Sequence, residues 1–239
     1  MAGFVRWLGH STVTVDLDSA RFVTDPVLRR RVLHLRRRTP VDAPTDVDAV
    51  LLSHLHYDHL DLPSLALIGV GTPLVVPHGG RASLKGFEQV TEVEPGMTLE
   101  LAGIRIRVIE AVHDGRRRGL GEAIPAVGYL LEGTKTVYFA GDTDLFEGMG
   151  SLGPVDLALI PIWGWGKKVG EGHLDPLRAA QALALVEPRM AIPIHWGTYS
   201  VAWTAHADRK PADDFVVAAR EEAPQVDVHV LPVGGGLAI

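Results

Sequence analysis

The chain has 239 residues, a formal net charge of −6 and no cysteine. The length fits one domain spanning residues 1–239, and the absence of cysteine excludes disulfides, thiolate metal ligands and a cysteine nucleophile. The acidic balance argues against a general nucleic-acid-binding protein, and no apolar run reaches the roughly 18 residues that cross a bilayer. The N-terminus has no signal-peptide pattern, so we expect a cytoplasmic protein, with its oligomeric state left open.

Short runs rich in β-branched residues dominate the first half of the chain and predict strands. They cover residues 12–17, 20–24, 49–52, 74–76 and 104–111. From Ile104 to Val108 apolar and charged residues alternate, which is typical of a strand with one buried and one wet face. In the second half we predict strands at residues 126–131, 136–140, 157–161, 190–194 and 226–231.

Two segments of the second half carry helix start signals. Asp175 before Pro176 is an N-cap and first-turn pair that predicts a helix to about Leu185. A second helix is predicted from Pro211 to the residues before Pro224. Many short strands with helices at intervals predict an α/β (α+β) protein in which two packed sheets carry helices on the outside.

The loop after residues 49–52 concentrates groups that bind metals. It reads Ser-His-Leu-His-Tyr-Asp-His from Ser53 to His59, and its donors are His54, His56, Asp58 and His59. Such a cluster of polar side chains is not expected in a hydrophobic core, but its nitrogen and oxygen donors suit zinc, manganese or iron. Because loops that leave buried strands of layered α/β proteins carry active sites, we interpret it as metal-binding rather than as a solvated turn.

Three further polar residues stand at the ends of predicted strands. His113 follows the alternating strand, Asp142 follows residues 136–140, and His195 follows residues 190–194. Each alone is as readily a surface or hydrogen-bonded residue. Together with the loop they predict enough ligands for two metal ions.

These residues carry a family resemblance. The supporting motifs are Gly9-His10-Ser11-Thr12, Thr24-Asp25-Pro26, residues 53–61, Phe139-Ala140-Gly141-Asp142-Thr143 and Ile194-His195-Trp196-Gly197-Thr198. With them the chain resembles metallo-β-lactamase-fold hydrolases over nearly its whole length. It is most similar to the branch that contains N-acyl phosphatidylethanolamine phospholipase D and related bacterial hydrolases, with ascorbate-6-phosphate lactonase more distant.

The resemblance implies a fold and a ligand set. The fold is a four-layer αβ/βα sandwich with the metals at one edge between the sheets. By matching position, one metal would be held by His54, His56 and His113, a second by Asp58, His59 and His195, and Asp142 would bridge them. Nitrogen and oxygen ligands fit zinc best, with manganese and iron as alternatives.

Such a site favours hydrolysis, because two divalent ions about 3.5–4 Å apart would share a bridging hydroxide at neutral pH and polarise the scissile group. Asp58 could orient that hydroxide and pass a proton to the leaving group. Asp25 is our candidate for anchoring a ligand imidazole, the alternative being a turn with Pro26. His10 and His173 occupy positions where related hydrolases place histidines. His10 is a candidate for supporting a ligand of the site or for contacting the substrate. His173 is a candidate for substrate contact or for the leaving-group acid, with helix-entry packing as the alternative.

Other segments are candidates for substrate contacts. Trp163 and Trp165 lie in a glycine-rich loop followed by two lysines, which could form an apolar wall with a cationic rim, or a surface loop. Arginine runs within residues 29–38 and 116–118, with Arg116 leading the second, could bind an anionic group. The alternative for these runs is a solvated surface.

We therefore predict a metal-dependent hydrolase of a phosphodiester or another small anionic ester. A lactonase is the nearest alternative, because the same hydroxide attacks a ring ester. The arginine runs favour an RNA-processing nuclease as another alternative, whereas the acidic net charge argues against it. A mononuclear iron sulfur dioxygenase is a further alternative, whereas His56 argues against diiron reductases, which carry an acidic residue there.

Overall fold

The computed structural model describes residues 3–115, 124–164, 169–201 and 209–239. Within these ranges the strands are, in chain order, β1 (Phe4–Gly9), β2 (Thr12–Leu17), β3 (Ala20–Thr24), β4 (Arg31–Val32), β5 (Leu35–Arg37), β6 (Ala49–Leu51), β7 (Leu74–Pro77), β8 (Val90–Val93), β9 (Thr98–Leu101), β10 (Ile104–Asp114), β11 (Pro125–Glu132), β12 (Thr136–Phe139), β13 (Leu157–Pro161), β14 (Met190–Ile194), β15 (Tyr199–Val201), β16 (Asp227–Val228) and β17 (Gly236–Ala238). The helices are α1 (Leu62–Ile68), α2 (Pro176–Val186) and α3 (Lys210–Glu222). None of these described helices has the length and apolar character that a membrane span requires.

Two seven-stranded mixed sheets make up most of the described fold. The first has the order β17-β1-β2-β3-β6-β7-β8, and the second has the order β16-β14-β13-β12-β11-β10-β9. Ala49 and Leu51 of β6 pack into a cluster shared with the second sheet, whereas Val50 packs in a separate cluster with Leu65 of α1. A strand covered on both faces needs a continuous apolar run, which residues 49–52 provide.

Helices α2 and α3 pack against the second sheet, since Leu183 and Phe215 are fully buried in the same cluster as its strands. The layers are therefore helix, sheet, sheet and helix, which confirms the predicted αβ/βα sandwich. The predicted start of α2 is also confirmed, because the Asp175 side chain accepts a hydrogen bond from the Arg178 N–H (2.9 Å). The strand predicted at residues 226–231 shortens to the two-residue edge strand β16.

Helix α1 and a small sheet of order β15-β5-β4 lie outside the predicted elements. Helix α1 has a local signal, because Asp61 caps it by accepting a hydrogen bond from the Ser64 N–H (3.1 Å). The small sheet depends on pairing between segments far apart in the chain. Strand β10 runs beyond Ala111, because its register against β11 shifts there and pairing resumes at Asp114. His113 consequently lies within a strand, not after one.

Arg37 fastens the small sheet to the rest of the fold. Its side chain is 6% exposed and donates to the carbonyl oxygens of Leu8 (2.7 Å) and Val27 (2.8 Å). Replacing Arg37 by methionine leaves the buried Leu8 carbonyl without its charged donor, so we expect the free energy of unfolding to fall by about 2–3 kcal/mol. Urea unfolding measures this loss, with Arg36→Met as the matched control because Arg36 is exposed. Equal losses in the two variants would contradict this role.

Candidate metal centre

The loop between β6 and α1 carries polar side chains into the interior. His54 and His59 are fully buried, whereas His56 and Asp58 are partly exposed. The N–H groups of His59 and Leu60 donate to the carbonyl oxygen of His56 (3.0 and 2.8 Å), which closes a tight turn. Because burying a polar side chain without a partner costs free energy, each buried imidazole here requires one.

One donor group consists of His54, His56 and His113. The Nδ1 atom of His56 lies 3.0 Å from Nε2 of His54 and 3.2 Å from Nε2 of His113. The other nitrogens are held from behind. His113 Nδ1 lies 2.9 Å from the carbonyl oxygen of Gly172, and His54 Nδ1 lies 2.9 Å from Ser53 Oγ. These contacts orient the rings so that three nitrogens converge.

A second donor group contains Asp58, His59 and His195. The Nε2 atoms of the two histidines are 3.1 Å apart, and each lies 3.9 Å from Asp58 Oδ2. Their Nδ1 atoms are engaged elsewhere, 2.7 Å from Asp25 Oδ2 for His59 and 2.7 Å from the Trp163 carbonyl oxygen for His195. Each imidazole therefore has one nitrogen available for a shared ligand.

Asp142 lies between the two groups and is 1% exposed. Its Oδ2 atom is 3.1 Å from His59 Nε2, 3.2 Å from His195 Nε2 and 3.9 Å from His54 Nε2. Its Oδ1 atom is buried and has no hydrogen-bond partner. A buried carboxylate oxygen without a partner is costly, so its position points to a ligand that satisfies it.

Both groups fit divalent metal ions. In each group the donor atoms lie within 4.8 Å of one another. Two nitrogens bound to a tetrahedral zinc ion at about 2.0–2.1 Å would be roughly 3.3 Å apart. The facing nitrogens here are 3.0–3.2 Å apart, which is close to that spacing. Ring nitrogens this close need a shared proton or cation, and a cation serves three donors at once.

The protonation of the site also suits a metal. Burial lowers the pKa of His113 to about 4, so its imidazole is neutral near pH 7. Burial alone would raise the pKa of Asp142, but His195 and His59 hold it well below its usual value. Burial also lowers the pKa of His59, yet the carboxylates of Asp142 and Asp25 outweigh it and raise that pKa well above its usual value. Metal ligands bind as neutral imidazoles and ionised carboxylates. A bound cation would therefore take the place of the proton that the raised pKa favours on His59.

His10, a candidate for ligand support or substrate contact, and His173, a candidate for substrate contact or leaving-group acid, both reach the same cluster. His10 Nε2 lies 3.1 Å from Asp58 Oδ2, and its ring centroid is 3.9 Å from that of His195. His173 Nε2 lies 3.3 Å from Asp142 Oδ2, and its ring is partly exposed. His10 and His195 both have a left-handed backbone (φ 54° and 63°), and the His195 N–H donates to the His10 carbonyl (2.9 Å). Such backbone strain in non-glycine residues clusters at functional sites.

Asp25 supports the second donor group from behind. Its carboxylate accepts hydrogen bonds from the N–H (2.7 Å) and hydroxyl of Ser53 and lies 2.7 Å from His59 Nδ1. The contact with His59 favours the interpretation of Asp25 as an anchor for an imidazole over that of a residue that only makes a turn with Pro26.

Replacing Asp25 by asparagine is expected to weaken metal binding by about 10–100-fold, because His59 loses the charged acceptor that orients its ring. Competition with a chromophoric chelator measures the affinity. Asp16→Asn is the matched control, since Asp16 pairs with Arg21 and belongs to neither donor group. Equal affinities of the Asp25 variant and the unaltered protein would contradict this role.

A cleft of about 530 Å³ opens onto the donor atoms. Trp163, a candidate substrate contact, lines it together with residues 32–35. Trp165 and Arg116 lie outside the described residues. No arginine of residues 29–38 lines the cleft, so the structure does not support the anion contact considered for this run from the sequence. The apolar residues between its two arginine triplets line the cleft instead, and that apolar interruption is the signal that sequence reasoning passed over.

Known proteins resemble this chain in sequence and in fold. A family profile described as the beta-lactamase superfamily domain matches residues 20–196. The chain is 35% identical to N-acyl-phosphatidylethanolamine-hydrolyzing phospholipase D 1 of Caenorhabditis elegans, over 97% of this chain and 74% of that protein. It is 31% identical to a metal-dependent hydrolase of Methanosphaerula palustris, over 98% of this chain and 99% of that protein. A solved metallo hydrolase from Ignicoccus hospitalis has the same fold, with a TM-score of 0.73, 23% identity and coverage of 100% and 99% of the two chains.

Proposed function

This chain belongs to the β-lactamase superfamily and is a metal-dependent hydrolase, and we propose that it uses two divalent ions to cleave a phosphodiester or another small anionic ester. The observation that carries the proposal is the position of Asp142. Its Oδ2 atom lies 3.9 Å from His54 Nε2 of the first donor group and 3.1 Å from His59 Nε2 of the second. A carboxylate so placed can bridge two ions, for which zinc is the best fit and manganese or iron the alternatives.

The proposed ligands divide as the resemblance implied: His54, His56 and His113 for one ion, Asp58, His59 and His195 for the other, with Asp142 shared. When bound, the ions would bring the pKa of a shared water near neutrality and polarise the scissile oxygen. Side chains of the protein would accept the proton and orient the accepting group. Asp58 is 14% exposed at the cleft, where it can accept a proton from the attacking water. His10, 3.1 Å from Asp58 Oδ2, orients that carboxylate.

His173 is our candidate for the acid that protonates the leaving group. It lines the cleft, and its Nε2 atom lies 3.3 Å from Asp142 Oδ2. Burial lowers the pKa of His173, but the Asp142 carboxylate outweighs this and raises it above its usual value. An imidazole at the open side of the donor cluster can carry a proton and transfer it to a departing oxygen.

Replacing His173 by glutamine is expected to lower kcat by about 10²–10⁴-fold for substrates with poor leaving groups, because they need protonation in the transition state. Substrates that release p-nitrophenolate need little help and should lose far less. Rates across alkyl and aryl leaving groups measure this difference, with metal content checked in both proteins. A uniform loss across the series would exclude protonation of the leaving group by His173, and a loss of bound metal alongside it would assign His173 to metal binding.

The phosphodiester is supported by the 35% identical phospholipase D relative, whose substrate contains that linkage by name. Turnover of bis(p-nitrophenyl) phosphate and of an aliphatic lactone by the metal-loaded protein tests the choice. We expect the phosphodiester to be cleaved with the higher kcat/KM. Lactone turnover in the absence of activity toward a broad phosphodiester panel would make the protein a lactonase and overturn this choice.

A further inference from the structure

The hairpin formed by β4 and β5 lines the same cleft as the metal-donor side chains. Its turn residues Leu33 and His34 face that cleft, as do the flanking residues Val32 and Leu35. No lysine or arginine is among the described residues that line this space. Apart from the imidazole of His34, the hairpin therefore presents apolar groups to the cleft, and none of its arginines lines it.

Leu33 is unusual in two respects. It is 57% exposed, and its backbone is left-handed with φ 51°. Glycine or asparagine occupies such a turn position with little strain, whereas leucine does so at a cost in free energy. A large apolar side chain that is both strained and exposed beside a set of catalytic groups indicates a contact with a ligand.

The hairpin is held rigidly. Val32 and Leu35 are each 3% exposed and pack with Val27 and Tyr199. Strand β5 also pairs with β15. Arg37, at the end of the hairpin, donates to the backbone carbonyls of Leu8 and Val27. Because these contacts fix the turn, Leu33 is placed at the cleft before any substrate arrives, which lowers the entropic cost of binding.

We propose that this hairpin forms the binding wall for an uncharged alkyl group attached to the scissile ester. The inference rests on the proposed function and adds the chemical class of the second substituent. Trp163 and Val169 line the cleft as well, and its volume of about 530 Å³ accommodates several carbons beyond the scissile group. A polyanionic substituent would find no lysine or arginine among the described residues of this wall.

Two phosphodiesters that share a p-nitrophenyl leaving group test the proposal, one with a methyl and one with a hexyl substituent. We expect kcat/KM to be at least about tenfold higher for the hexyl ester, since each buried methylene contributes to binding. Leu33→Asn should lower that hexyl-to-methyl ratio by about tenfold, because asparagine keeps the left-handed turn and removes the apolar contact. Leu67→Asn is the matched control, since Leu67 is 61% exposed on α1 and does not line the cleft.

The outcomes separate the two proposals. Turnover of both esters without a chain-length preference, or an unchanged ratio in Leu33→Asn, would overturn the role of the hairpin. Absence of turnover would overturn the phosphodiester choice, and calorimetric titration of metal-loaded protein with methylphosphonate and hexylphosphonate would then decide the binding question. Tighter binding of the hexyl compound that is lost in Leu33→Asn supports the wall, and equal binding contradicts it. The melting temperature of Leu33→Asn should not fall, which distinguishes ligand contact from hairpin stability.

Discussion

Asp142→Ala is expected to lower kcat by at least about 10³-fold and to reduce the bound metal sharply, because one carboxylate serves both donor groups. Its Oδ2 atom approaches His59, His195 and His54, and its Oδ1 atom has no other partner. Loss of the carboxylate removes the negative charge between the two groups as well as a ligand. Elemental analysis and steady-state kinetics on the same preparation measure both effects.

The matched control is Asp144→Ala. Asp144 lies two residues away on the same loop and pairs with Arg178, outside both donor groups. This variant should keep its full metal content and most of its activity. If Asp142→Ala bound as much metal as the unaltered protein, Asp142 would not be a bridging ligand.

The second large effect is expected at Asp58. Asp58→Asn keeps the shape of the side chain but removes its charge and basicity, so we expect kcat to fall by about 10²–10⁴-fold. The other donors should still retain at least one metal ion. Kinetics and metal analysis measure both properties, and a kcat within threefold of the unaltered protein would exclude proton transfer by Asp58.

His10 provides an internal check on Asp58, because its proposed action passes through that carboxylate. His10→Gln should reduce activity when Asp58 is present and add little loss in the Asp58→Asn background. A double-mutant cycle on kcat measures this coupling. Independent, additive losses would mean that His10 contacts the substrate directly.

The clustering of the candidate metal donors could be predicted from the sequence because each follows or belongs to a strand, and strand ends gather at one edge of a sheet. The loop from Ser53 to His59 is recognisable by its residue types alone, and the structure brings His113, Asp142 and His195 to it. The sequence identifies Asp25 as a candidate, but it does not decide whether Asp25 anchors a ligand imidazole or only makes a turn with Pro26. That choice depends on the orientation of His59, which the tertiary structure sets.

The position of the hairpin at the cleft could not be predicted, because it depends on the pairing of β5 with β15, which is distant in the chain. Strand β5 pairs with Tyr199 and its neighbours, and no local pattern near Arg37 encodes this partner. The arginine triplets drew attention to charge, whereas one of them buries Arg37 and the apolar residues between them line the cleft. Helix α1, by contrast, is predictable from a local signal, namely Asp61 and the proline that follows it.

The central claim, a binuclear metal centre, is tested most directly by elemental analysis of the protein purified without added metal and again after reconstitution. We expect close to two equivalents of zinc or manganese per chain, matching the two donor groups joined by Asp142. One iron per chain would contradict the binuclear hydrolase and favour sulfur dioxygenase chemistry. No bound metal, even after reconstitution, would contradict the metal centre itself.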